Sequence, residues 1–205
     1  MKLYVTYTSP YARLARIMVA EKRLEDRVEI IEAKTRTPGS PYYNINPSGR
    51  VPYLIDDDGI GMEDSQVICA YLDGLDGEPW LHDPKRTSEL SYRRLEATAR
   101  SFSDGVSVYV REMRRPENER SPTVLAHEAA RAQRLADVFE TKMSDPVMLG
   151  PLTMAHLILA VAMDEARRRG SGDLAIGRPR LAEWMRRMSA LPAMHATAPE
   201  VTVGY

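Results

Sequence analysis

The chain has 205 residues, of which 43% are hydrophobic, enough to form one large or two small domains with a sizeable core. Its 28 Lys and Arg residues nearly balance its 29 Asp and Glu residues, and the net charge of -1 excludes a general electrostatic attraction to nucleic acid or to an anionic membrane. The single cysteine, Cys69, excludes an internal disulfide and a thiolate zinc cluster, as is typical of a cytoplasmic protein.

The N-terminal residues form a strand followed by a helix. Residues 3–7 alternate apolar and polar side chains, and Ser9 and Pro10 then supply a cap residue and a proline at the first helical position. A helix to about Leu24 and a second strand at residues 28–31 are predicted to follow. No apolar stretch typical of a secretory signal precedes these elements, so we expect the mature chain to begin at its first or second residue.

The next segment contains a loop, a hairpin and a second helix. Residues 37–47 are rich in Gly, Pro and Asn, which predicts a loop or a broken helix. Strand patterns at residues 52–55 and 60–62 flank an acidic turn at residues 56–59, and a helix begins near Ser65. The pattern therefore predicts the order β-α-β-loop-β-β-α.

The rest of the chain carries helical periodicity only. Residues 74–84 are typical of a linker, so we expect an α/β domain at residues 1–76 and an all-helical domain at residues 85–205. About five helices are predicted in the second domain, including one at residues 85–115, one after Ser121-Pro122, one capped by Thr153 and one starting at Pro179.

One apolar run could suggest a membrane span. Residues 146–163 are interrupted by Gly150, Pro151, Thr153 and His156, which leaves far fewer than the roughly 20 apolar residues that a spanning helix needs. The run is therefore interpreted as a buried core helix, and no membrane partner is expected.

Three stretches resemble the glutathione S-transferase superfamily. They are TSPYARLARI at residues 8–17, NPSGRVPYLIDDDGIGMEDSQVICAYL at residues 46–72 and, less strongly, GPLTMAHLILA at residues 150–160. The second stretch resembles the family signature N-P-x-G-K/R-V-P-x-L, followed by E/D-S-x-x-I and Y-L. In the third, the family cap usually reads S/T-x-x-D, and His156 at its fourth position puts the reciprocal side-chain bond to the backbone in doubt.

The resemblance implies a fold and a function. It implies a thioredoxin-like N-terminal domain that binds glutathione as co-substrate and an all-helical C-terminal domain that contributes the electrophile pocket. It also implies a homodimer that conjugates glutathione to small hydrophobic electrophiles in detoxification. Ser-Pro-Tyr at the start of the first helix is similar to bacterial transferases of the serine type.

By this resemblance, Ser9 is the catalytic residue. A cysteine-like thiol has a pKa near 8.5, so an enzyme that uses its thiolate must stabilise the anion. The Ser9 hydroxyl and the N–H groups of the helix N-terminus suit that task, although Ser9 can instead be an ordinary cap. Tyr7 is the alternative hydroxyl, since other branches of the family use a tyrosine at the end of this strand.

The resemblance also assigns residues to glutathione binding. Val51-Pro52 corresponds to the family's cis proline, where the preceding residue offers its N–H and C=O to the cysteinyl part of glutathione. Arg50 can pair with a carboxylate of the tripeptide or be a solvated loop arginine. Asp64 and Ser65 can take the γ-glutamyl ammonium and carboxylate or form an ordinary helix cap.

The electrophile pocket is predicted from expected proximity to Ser9, and its candidates are Tyr11, Ser103 and Tyr109. No metal is expected, because His82, His127, His156 and His195 lack metal-ligand spacing. Arginine clusters at residues 111–115 and 167–169 are typical of solvated helix faces, and no nucleic acid partner is expected.

Two other functions fit the same motifs. Glutathione-dependent isomerisation or thiol–disulfide exchange occurs in zeta-like and omega-like relatives, although exchange of the omega kind needs a cysteine where Ser9 stands. A non-catalytic binding module is the third possibility, because fold alone does not determine function.

Overall fold

The computed structural model describes residues 1–82, 89–169 and 172–199, which fall into two compact units. The first unit contains Met1–Trp80 and the described residues from His195 onward. The second contains the described residues between Leu81 and Met194. The predicted boundary at residue 85 lies outside the described residues.

The first unit is built on a four-stranded sheet of order β2-β1-β3-β4. Strand β1 (Lys2–Val5) pairs in parallel with β2 (Glu29–Glu32) and antiparallel with β3 (Tyr53–Ile55), which pairs antiparallel with β4 (Gly61–Glu63). The parallel pair requires the crossover through α1 (Pro10–Glu21). The β3–β4 hairpin has the predicted acidic turn, and the loop before it contains only a short 3₁₀ helix at Pro41–Asn44.

The core of this unit lies between the sheet and its two helices. Helix α2 (Ser65–Gly74) packs against α1, and both turn their apolar faces inward. The largest fully buried side chains of this core are Leu3, Ile17, Met18, Leu54, Ile68 and Leu72. Burial of one such side chain stabilises the fold by about 1.5–3 kcal/mol, so this core fixes the loop from which α1 starts.

The second unit is all helical among the residues that the structure describes. Its helices are α3 (Leu90–Met113), α4 (Pro122–Lys142), α5 (Pro146–Leu149), α6 (Met154–Arg169), α7 (Pro179–Ser189) and the start of α8 (Pro192–Ala196). A 3₁₀ turn at Glu117–Glu119 separates α3 from α4, near the predicted break. The short helices α5 and α8 are additional to the long helices that periodicity predicted, because four or five residues show no period.

Helix α6 is the centre of this unit. Every residue from Met154 to Ala166 is buried, and residues 157–163 are all apolar, as expected for a helix with no face to solvent. It packs against α3, and Phe102 of α3 meets Phe139 of α4 edge to face with ring centroids 6.1 Å apart. The interpretation of residues 146–163 as core is confirmed for α6. None of the described helices has the length and hydropathy required to cross a membrane.

The cap of α6 uses a histidine. The Thr153 N–H donates to His156 Nδ1 at 3.2 Å, and Thr153 Oγ1 lies 2.7 Å from the same nitrogen. The other ring nitrogen, Nε2, lies 3.3 Å from the Met148 carbonyl oxygen, so a neutral imidazole with its hydrogen on Nε2 satisfies these contacts. The doubt about a reciprocal bond was therefore misplaced, because the imidazole accepts the bond that a carboxylate usually accepts.

Candidate functional site

Ser9 lies in the short loop between β1 and α1. Its N–H donates to the Thr6 carbonyl at 3.1 Å, which closes the loop, and its Oγ accepts from the Ala12 N–H at 3.2 Å. The residue is therefore the N-cap of α1, with Pro10 next to it. The cap bond uses an oxygen lone pair, and no described residue accepts the hydroxyl hydrogen, so capping is compatible with a hydrogen bond to a thiolate.

Tyr7 stands two residues before Ser9 in the same loop. Its side chain is 44% exposed, and the guanidinium carbon of Arg16 lies 4.7 Å from its ring centroid. Arg16 Nη1 also donates to the carbonyl oxygen of Thr197 at 3.2 Å. The phenol is therefore open to solvent beside a fixed cation.

The Val51–Pro52 peptide bond is cis, as the resemblance predicted. Among the described residues, neither the N–H nor the C=O of Val51 has a hydrogen-bond partner, although Val51 is half-buried. Pro52 is buried and directly precedes β3. Val51 thus presents a backbone donor and acceptor with which an extended peptide can pair.

The loop before Val51 is held by side chains that the sequence analysis did not single out. The Tyr42 hydroxyl and Asn46 Nδ2 both donate to the carbonyl oxygen of Arg50, the latter at 3.0 Å. Burial raises the pKa of Tyr42, which keeps the phenol protonated as a donor. The Arg50 side chain itself is exposed. Asn46 belongs to the quoted motif, but Tyr42 carries no local signal.

Asp64 and Ser65 lie at the start of α2. Asp64 is the N-cap, and its Oδ1 accepts from the Gln66 N–H at 2.7 Å. It adopts φ 76°, an uncommon conformation for a residue other than glycine. Asp64 is exposed and Ser65 is half-buried, so one carboxylate oxygen and the first free N–H groups of α2 face solvent.

The predicted pocket residues are divided between the units. Tyr11 is half-buried on α1 in the first unit, whereas Ser103 is buried and Tyr109 is half-buried on α3 in the second. Their common role at an electrophile pocket stays a prediction. Cys69 is fully buried on α2 and is not part of a disulfide. In the described part of the chain, no three His, Cys, Asp or Glu side chains cluster as a metal site would require.

Residues 3–80 match the family model described as the glutathione S-transferase N-terminal domain. The N-terminal domain of the chain belongs to the glutathione S-transferase superfamily. It is similar to an uncharacterised GST-like protein of Escherichia coli K12, YibF, with 27% identity over 97% of this chain and 98% of that protein. The recognised resemblance is thereby confirmed.

Solved structures agree with this assignment. A glutathione S-transferase of Methylobacillus flagellatus with bound glutathione has a TM-score of 0.85 and 28% identity, covering 97% of this chain and 98% of that one. A family member from Pseudomonas fluorescens with bound S-(propanoic acid)-glutathione has a TM-score of 0.81 and 25% identity, covering 97% and 99%. The predicted fold class, a thioredoxin-like domain followed by an all-helical domain, is confirmed.

Proposed function

We propose that this glutathione S-transferase family member conjugates the thiolate of glutathione to a small hydrophobic electrophile, with Ser9 as the catalytic residue. The observation that carries the proposal is the Ser9 hydroxyl, which caps α1 with its oxygen and keeps its hydrogen for a ligand. Family membership and glutathione in the related Methylobacillus flagellatus structure support the choice of thiol.

The chemistry requires an anion at sulfur. At neutral pH only a few per cent of a thiol with a pKa near 8.5 is ionised, and lowering that pKa by about two units takes about 2.7 kcal/mol. A charge-assisted hydrogen bond from Ser9, together with the positive end of α1, is of that size. The thiolate then forms a sulfur–carbon bond with the electrophile, and the displaced halide or the rearranged electron pair leaves toward solvent.

The rest of the tripeptide has matching groups in the same unit. We assign the cysteinyl backbone to the free N–H and C=O of Val51, beside cis Pro52. The γ-glutamyl carboxylate is assigned to Ser65 and the N–H groups of α2, and its ammonium to Asp64. The positive φ of Asp64 is the kind of conformation that is retained at functional sites. The Arg50 side chain is assigned to a carboxylate of the tripeptide.

The remaining parts of the proposal depend on the family alone. They are an electrophile pocket that includes Tyr11, Ser103 and Tyr109, a homodimer, and a detoxifying role in the cytoplasm. Neither a metal nor a nucleic acid is part of this proposal.

One alternative is disfavoured by a specific observation. Thiol–disulfide exchange needs a reactive cysteine, and the single Cys69 is fully buried in α2. Glutathione-dependent isomerisation would return the tripeptide unchanged. Turnover of maleylacetoacetate without loss of glutathione would identify that reaction.

Two measurements test the proposal together. Calorimetry should show glutathione binding, and incubation with chlorodinitrobenzene should give the glutathione adduct by mass spectrometry faster than the uncatalysed reaction. No binding at millimolar glutathione would contradict the proposal. Binding without any accelerated adduct formation would instead identify a non-catalytic module.

A further inference from the structure

Arg16 is a half-buried cation beside the proposed site. It lies on α1, seven residues after Ser9, and seven residues bring a helix back to nearly the same face. In the described part of the chain it pairs with no carboxylate; its contacts are the Tyr7 ring and the Thr197 carbonyl. A guanidinium that has lost part of its hydration, with no counter-ion among the described residues, is a candidate anion receptor.

The group is held in place on two sides within the first unit. The Tyr7 ring covers one face of the guanidinium, with 4.7 Å from ring centroid to Cζ. The Thr197 carbonyl takes one N–H at 3.2 Å, and the Thr197 hydroxyl lies 3.4 Å from Nε of the buried Arg13. The remaining Arg16 donors keep the planar fork that matches a carboxylate.

The local electrostatics favour an anion. Burial lowers the pKa of Arg16. The neighbouring Tyr7 raises this pKa, whereas the positive charge of Arg13 lowers it. Arginine nevertheless stays charged in proteins. Two guanidinium groups on successive turns of α1 therefore repel each other, and an anion bound to Arg16 would relieve both the repulsion and the lost hydration.

We propose that Arg16, fixed on the Tyr7 ring, binds a carboxylate of the electrophile, so that the preferred substrates are acidic electrophiles with the acid several ångströms from the reacting carbon. The inference deepens the proposed function and rests on it. The spacing follows from α1: residues 9 and 16 are about 10 Å apart along the axis, and the arginine side chain leans back toward the helix N-terminus.

A suitable reaction is Michael addition to an aryl enone with an acid on its ring. The thiolate sulfur forms a bond to the β-carbon, the π electron pair moves toward the carbonyl, and solvent protonates the α-carbon. No oxidant, reductant or leaving group is required. The glycyl carboxylate of glutathione is the other possible source of the same anion, and the test separates the two sources.

The test uses benzalacetone and its para-carboxy derivative, which differ only by the acid. We expect Arg16→Gln to lower the ratio of kcat/KM for the acid to kcat/KM for the neutral enone by about tenfold, the value of one charge-assisted contact, and Arg16→Lys to lower it less. Lys34→Gln, at an exposed cation of the same unit, should leave the ratio unchanged.

An unchanged ratio in Arg16→Gln would overturn the inference. A rise in the KM for glutathione with both enones at an unchanged ratio would assign Arg16 to the glycyl carboxylate and also overturn it. Calorimetry with the two purified glutathione conjugates gives a readout independent of turnover: the acid conjugate should lose about tenfold more affinity than the neutral one in Arg16→Gln. If the wild-type protein turned over neither enone nor chlorodinitrobenzene, the proposed function would be contradicted, while these affinities would still decide the role of Arg16.

Discussion

Replacement of Ser9 by alanine removes two interactions at once. The first is the cap bond from the Ala12 N–H, which spans 3.2 Å and whose loss costs about 1 kcal/mol of folding free energy. The second is the proposed hydrogen bond to the thiolate. A hydrogen bond to a charged group contributes about 1.5–3 kcal/mol, so its loss should lower kcat/KM by about 10- to 150-fold.

Ser121→Ala is the matched control for the first effect. Ser121 precedes Pro122 as Ser9 precedes Pro10, and its Oγ accepts from the Val124 N–H at 3.3 Å to cap α4. Urea denaturation should therefore show a similar decrease in the free energy of unfolding for both variants. Only Ser9→Ala should lose turnover of glutathione and chlorodinitrobenzene, measured by absorbance at saturating electrophile.

Two further variants separate the hydroxyl from the cap. Ser9→Gly should keep most of the cap free energy and still lose activity, because glycine is tolerated at an N-cap but has no hydroxyl. Tyr7→Phe should keep activity within about twofold, since the ring over which Arg16 lies is retained. Full activity in Ser9→Gly, or a large loss in Tyr7→Phe, would refute the assignment of Ser9 and transfer the role to Tyr7 or to backbone groups.

Three other variants test separate parts of the account. Asp64→Asn keeps an N-cap side chain but removes the charge, so calorimetry should show about tenfold weaker glutathione binding with kcat changed by no more than about twofold; unchanged affinity would contradict the ammonium assignment. His156→Ala removes the buried cap of α6 and should cost about 2–3 kcal/mol in urea denaturation, whereas His127→Ala, at an exposed position, should cost nothing measurable; equal costs would contradict the cap. The hydrogen bond from Lys22 lowers the pKa of Asp76, so its stabilisation is present above the ordinary carboxyl pKa near 3.9 and is lost as pH falls through the lower folded value. Asp76→Asn should therefore lower the urea midpoint slightly near pH 7, and this deficit should vanish once the pH falls below the folded pKa of Asp76; a deficit that persists in stronger acid would contradict the ion pair.

Local sequence signals predicted the first unit well because its elements begin with strong caps and turns. Ser9-Pro10 at α1 and the acidic turn at residues 56–59 each impose a backbone geometry within a few residues. The cis peptide bond at Val51–Pro52 has no comparable local signal, since only about 5–6% of X–Pro bonds in folded proteins are cis. Only the family resemblance predicted it.

Contacts between distant residues could not be predicted in the same way. Arg16 meets Thr197, which lies 181 residues further along the chain, and no periodicity connects the two. The cap at His156 departs from the usual motif for a chemical reason: the motif has a carboxylate at that position, whereas the geometry needs only a hydrogen-bond acceptor, which the imidazole supplies. Tyr42 was missed because its role is to hold the Arg50 carbonyl from a loop.

The position of the sulfur atom decides the central claim most directly. A crystal structure of the protein with glutathione should place the sulfur within hydrogen-bonding distance of Ser9 Oγ, with the cysteinyl backbone paired to Val51. A sulfur bound elsewhere, with the Ser9 hydroxyl directed away from it, would contradict the account.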